Sequence, residues 1–85
     1  MLFRSVELYS AHDCHLCDVA KETLHKVRMQ QPFELHEITI RQGDAFYDEF
    51  KERIPVVYID GKFAFQYRIP EELFVQKLKA AHPPK

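Results

Sequence analysis

Val6 and Leu8 alternate with Ser5 and Glu7, and Tyr9 closes the run, so residues 3–9 are predicted to form a strand. Ser10-Ala11-His12-Asp13 is a polar break, with Asp13 placed to cap a helix starting at or beside Cys14. The period then changes. Leu16, Ala20, Leu24 and Val27 mark the apolar stripe of a helix that runs to about Gln30 and stops at Gln31-Pro32. Residues 33–40 predict a second strand whose apolar phase slips, from Phe33 and Leu35 to Ile38 and Ile40. A strand covered on both faces, or one carrying a bulge, tolerates such a slip.

Gly43-Asp44 opens a short helix through about Glu52, with Phe46 and Phe50 on one side. Ile54-Pro55-Val56-Val57-Tyr58-Ile59 is almost continuously apolar, the mark of a central strand. Asp60-Gly61 is a hairpin turn signal, and Lys62-Phe63-Ala64-Phe65-Gln66 returns antiparallel. Pro70 suits the first turn of a last helix, with Leu73, Phe74, Leu78 and Ala81 facing inward. The order is β-α-β-α-β-β-α. Strands joined through a helix are expected to be parallel with right-handed crossovers, and the closing hairpin antiparallel. The fold class is therefore α/β, one domain over residues 1–85, with a four-stranded mixed sheet and helices on both faces.

Composition narrows the functions open to such a domain. A net charge of 12 − 13 = −1 gives little support for nucleic-acid or anionic-membrane binding, and the five Phe at positions 46, 50, 63, 65 and 74 lack interleaved basic residues. They read as core or half-covered surface. Only Gly43 and Gly61 occur, too few for a loop that cradles phosphate. No secretory signal or membrane-spanning run is visible, so a cytoplasmic monomer is expected. Two cysteines build neither a disulfide framework nor a four-thiolate zinc cage.

Those two cysteines, in Asp13-Cys14-His15-Leu16-Cys17, follow a strand and open a helix. A helix N-terminus offers free N–H groups and partial positive charge, both of which stabilise a thiolate. Thiols three residues apart on the first turn lie close enough to form a disulfide. Cys14 should face outward and Cys17 back toward the helix body, giving an attacking and a resolving thiol. Such settings lower thiol pKa values to roughly 3.5–7.5. Asp13 opposes this, because a neighbouring carboxylate raises the thiol pKa, while His12 and His15 offer hydrogen bonds or positive charge.

Two other readings of the pair stand beside redox chemistry. One is metal binding through Cys14, Cys17 and His12 or His15. The other is an interaction module in which the thiols are inert.

A proline at the start of a central strand removes a ladder donor. In one reading Pro55 simply starts the strand after a helix; in the other, a cis Ile54–Pro55 bond exposes the Ile54 backbone beside the thiols, where an extended substrate pairs as an added strand.

With Cys14-His15-Leu16-Cys17, Ile54-Pro55, the Asp60-Gly61 hairpin and the final helix in place, nearly the whole chain resembles the glutaredoxin-like branch of the thioredoxin superfamily. The resemblance implies a thioredoxin-like fold of sheet order 2-1-3-4, a nucleophilic Cys14, a resolving Cys17 and a cis Pro55 facing them. It implies thiol–disulfide oxidoreductase activity without a cofactor or metal, with Ile54, Pro55 and His15 as substrate-binding residues. Standard dithiol members carry Cys-Pro-Tyr-Cys and a basic residue near the first cysteine, where this chain has His15-Leu16 and Asp13. They also carry a Gly-Gly pair and Asp that help to hold glutathione. Phe63-Ala64-Phe65-Gln66-Tyr67-Arg68 contains no glycine. The expected partner is a disulfide-bearing protein or a low-molecular-weight thiol, with glutathione less favoured.

Arg41, Arg53, Lys62 and Arg68 are candidates to meet a substrate carboxylate. His25 and His36 read as surface or structural residues, and His82 as part of the C-terminal end.

Overall fold

The computed structural model describes residues 4–45 and 47–80. Phe46, Ala81 and His82, named above, lie outside them, as does residue 3, the expected start of the first strand. The elements in chain order are β1 (Ser5–Ser10), α1 (His15–Gln30), β2 (Glu34–Thr39), α2 (Tyr47–Phe50), β3 (Val56–Ile59), β4 (Lys62–Gln66) and α3 (Glu71–Ala80). They build a four-stranded mixed sheet in the order β2-β1-β3-β4.

Alternation along the strands supplies two apolar faces. Val6, Leu8, Val57 and Ile59 pack with Ala20, Leu24 and Val27 of α1 and with Phe74 and Leu78 of α3. The opposite face carries Val56, Ile40 and Phe50, bordered by Tyr9 and Tyr58. Helices therefore cover both faces, with α2 alone on the second. The slip in β2 is a change of face and not a bulge. Its register against β1 runs unbroken from Ser5↔Glu34 to Ser10↔Thr39. Phe33 and Leu35 join the first cluster, whereas Ile40, of opposite parity, joins the second.

The expectation that helix-joined strands run parallel holds for β1 and β2 but not for β3, which pairs antiparallel with β1. The connection between β2 and β3 is long enough to recross the sheet, but its helix runs for only one turn. A four-residue turn of helix such as α2 rises roughly 6 Å, whereas a six-residue strand spans roughly 20 Å. The chain leaving β2 does not recross the sheet, and β3 starts at the end where β2 stops.

The hairpin turn follows its sequence signal, with positive φ of 52° at Asp60 and 81° at Gly61. The Asp60 carboxylate also accepts from the Ser5 N–H at 3.0 Å and from Arg4 at 3.1 Å, fixing the turn to the start of β1. The strands beyond it are less simple. Val57 faces Phe65 but Tyr58 faces Phe63, so Ala64 is an extra residue on β4. The bulge sends the two phenylalanines to opposite faces: Phe65 meets Phe74 and Phe63 meets Tyr58. In α3, Phe74 and Leu78 are buried as expected, but Leu73 is 50% exposed. No described helix is long and apolar enough to cross a membrane.

Candidate active site

The Ala11–Asp13 loop leaves β1 and turns sharply at Asp13, whose φ is 57°. A helix N-cap needs extended backbone, so this left-handed residue cannot supply it. Cys14 does: its φ is −122°, and its sulfur accepts the Cys17 N–H at 3.1 Å. The expected Asp13 cap is thus corrected to Cys14, with sulfur in the place usually taken by a serine or aspartate oxygen.

Cys14 and Cys17 are joined as a disulfide, their Cα atoms 5.2 Å apart. Cys17 is fully buried and Cys14 half-buried. One sulfur therefore faces the surface and the other the helix body, the asymmetry expected of an attacking and a resolving thiol. Cys17 also takes the core position on the first turn that was assigned to Leu16. Leu16 turns sideways instead, into a groove of about 240 Å³ between α1 and the segment joining β4 to α3. His12 and His15 are exposed, and neither ring hydrogen-bonds a described residue. Asp13 is exposed too, so its charge acts on Cys14 through solvent. Asp13→Asn keeps a residue that tolerates left-handed backbone and removes that charge. In the reduced protein the Cys14 thiol should then titrate lower, because the carboxylate that disfavours the thiolate is gone. Ultraviolet absorbance of the thiolate across pH checks this.

Sheet register brings the proline to the same end. Tyr9 pairs with Val56, so Pro55 lies level with Ser10 at the strand end that leads into the disulfide loop. The Ile54–Pro55 peptide is cis, and Pro55 is fully buried. Ala11 and Ile54 flank one apolar cluster. The Ile54 N–H is bonded to the Phe50 carbonyl at 3.1 Å, so only its carbonyl is left for an incoming strand among the described residues. This halves the backbone pairing expected at Ile54.

Sequence reasoning missed two parts of the site. Tyr67, with φ of 69°, donates its N–H to the Pro55 carbonyl at 2.9 Å and its hydroxyl to the Glu52 carbonyl at 2.9 Å. It braces both sides of the proline, and no local signal marks a tyrosine for left-handed backbone. Ser10 is the other: its hydroxyl is buried, with no partner among the described residues. Tyr9, next to it, has its phenol pushed above the ordinary value by burial first and then by Glu7.

The four basic candidates separate by position. Arg53 is engaged, bonded to Gln66 at 3.0 Å and lying over Phe50 and Phe63. Lys62 follows the hairpin turn at the far end of the sheet. Arg41 follows Ile40, whose N–H bonds Ser10, and Arg68 lines the groove beside Leu16. Arg53, whose partner Gln66 pairs with Val56, shares the disulfide end with Arg41 and Arg68, but among the described residues only Arg53 is committed to other side chains there. His25 is paired with Glu37 at 2.7 Å on the surface. Among the described residues no group of three or more His, Cys, Asp and Glu side chains is placed to hold a metal ion.

A sequence profile for a family described as "Glutaredoxin-like domain (DUF836)" matches residues 5–79. A glutaredoxin-like protein from Dictyostelium discoideum is 30% identical, the match covering 82% of this chain and 72% of that one. Among solved structures, a structural-genomics target from X. campestris superposes with a TM-score of 0.74 at 25% identity, covering 88% of this chain and 96% of its own. A thioredoxin variant from Halobacterium salinarum shares the fold, with a TM-score of 0.69 at 13% identity over 99% of this chain and 79% of its own. With the family model matched over residues 5–79 and a relative 30% identical, the chain belongs to the glutaredoxin-like family of the thioredoxin superfamily.

Proposed function

We propose that the protein is a cytosolic thiol–disulfide oxidoreductase working through the Cys14/Cys17 couple. The observation that carries this reading is the disulfide at a helix start, with one sulfur half-exposed and the other buried. In the reduced form, the Cys14 thiolate is held by the Cys17 N–H and by the positive end of α1. It attacks one sulfur of a substrate disulfide, and the other leaves as a thiolate that takes up a proton. Cys17, deprotonated, then attacks the Cys14 sulfur and releases the second substrate thiol. Two electrons pass from the dithiol to the substrate, leaving the Cys14–Cys17 disulfide to be reduced by a further thiol. His15, next to Cys14 in the chain, and Ile54 and Pro55, at the same end of the sheet, would contact the substrate chain. The buried Cys17 is shielded from intermolecular attack, so the second step stays within the molecule.

Removing the second step tests the scheme. Cys17→Ser, reduced and mixed with a disulfide-containing peptide, should accumulate a stable one-to-one mixed disulfide on Cys14, visible by mass spectrometry without thiol reductant. A Cys17→Ser protein that forms no adduct while Cys14 remains accessible to alkylation would leave the interaction-module reading in its place.

A further inference from the structure

The groove beside the disulfide carries an inference that rests on the oxidoreductase reading and narrows its substrate. Its walls are Leu16, Val19 and Ala20 on α1, faced by Tyr67, Ile69 and Pro70. Leu16 lies between the two cysteines in sequence and lines the groove, so the groove opens beside the disulfide, within reach of a chain bonded to Cys14. Val19 and Tyr67 are each 44% exposed, leaving apolar surface at its mouth. Among the described residues Arg68 is the only charged one lining it, and its guanidinium makes no ion pair with any of them.

Size and charge together choose the occupant. About 240 Å³ falls below the roughly 300–1,000 Å³ of sites that enclose a whole small ligand. It suits large apolar side chains presented by a longer chain. One cation at an apolar wall matches a single carboxylate on that chain. A small peptide with two carboxylates and little apolar surface would leave the walls wet.

We infer that the groove selects polypeptide disulfides in which a large apolar residue neighbours the reacting half-cystine, with an acidic residue nearby paired to Arg68. The apolar side chain enters between Leu16, Val19 and Ile69 while the cysteine bonds to Cys14. The covalent steps are those above: the reduced dithiol is the electron donor, and the substrate disulfide the acceptor.

Single-turnover exchange by the reduced protein provides the test, using three peptide disulfides. One carries Leu beside the half-cystine and a nearby Glu, the second replaces Leu by Ser, and the third replaces Glu by Gln. The Leu peptide should react at least about 10-fold faster than the Ser peptide, the usual range for one apolar side chain in a pocket. Val19→Glu should bring that ratio close to one. Arg68→Gln, at an exposed position that tolerates exchange, should erase the preference for Glu over Gln. Equal rates for the Leu and Ser peptides in the unaltered protein, or a ratio kept in Val19→Glu, would overturn the groove assignment and leave the oxidoreductase reading intact. No reaction with any of the three would overturn both. Glutathione disulfide reacting as fast as the Leu peptide would also refute the selectivity.

Discussion

Cys14→Ser is expected to leave a folded protein whose disulfide exchange falls to the uncatalysed rate. Serine is among the best N-cap residues, so its oxygen should accept the Cys17 N–H as the sulfur does and keep the start of α1 in place. What is lost is the nucleophile. A hydroxyl is not ionised near neutrality, and the attacking species in exchange is a thiolate. Cys17 does not substitute, because it is fully buried in the first turn. The comparison belongs in the reduced state, where the disulfide contributes nothing to stability in either protein. Stopped-flow exchange with a peptide disulfide, beside a circular dichroism melt, separates the chemical loss from unfolding. A Cys14→Ser variant that retains exchange would move the reactive thiol to Cys17 and contradict the burial argument.

The second large effect concerns the core. Phe74→Ala should destabilise the domain by about 3–5 kcal/mol, the range for removing a buried aromatic ring. Phe74 is fully buried and meets Phe33 edge-on at 5.6 Å and Phe65 at 6.4 Å. It thereby ties α3 to the entry of β2 and to the bulged strand. Small domains hold roughly 5–15 kcal/mol in total, so the loss approaches the whole margin. Leu73→Ala, one residue earlier, should cost well under ~1 kcal/mol, because half of that side chain is already in water. Urea unfolding of the two variants reads the difference. Similar losses would mean that α3 presents another face to the sheet.

Residues 73 and 74 also show how far the sequence can be read. Leu73 and Phe74 are equally apolar, and a helix of ten residues offers too short a stripe to choose between them. The sheet made the choice, through the ring of Phe65. That ring reaches α3 only because Ala64 bulges, and nothing in Lys62–Gln66 announces a bulge. The element order and the Asp60-Gly61 hairpin were legible because each rests on local chemistry. So was the helix stop at Gln31-Pro32. The direction of β3 was not, since it depends on the path of the whole connection from Thr39 to Val56, which carries no local signal. At the site, Cys14 and Cys17 stood out by spacing alone, and Ile54-Pro55 by a proline where a strand should begin. Their meeting at one sheet end needed the register of Tyr9 with Val56. Capping by Cys14 was hidden for another reason. Asp13 is the better cap by type, and only its left-handed backbone disqualifies it. Tyr67 was invisible for the same cause.

Redox titration of the Cys14/Cys17 couple against a thiol–disulfide buffer tests the central claim most directly. The account predicts one reversible two-electron transition, with a slope of about 30 mV per tenfold change in the buffer ratio. Its midpoint should fall within roughly −120 to −270 mV, where dithiols that exchange electrons with partners lie. A pair that does not close reversibly, or one whose midpoint lies below about −300 mV as in a structural disulfide, would contradict it.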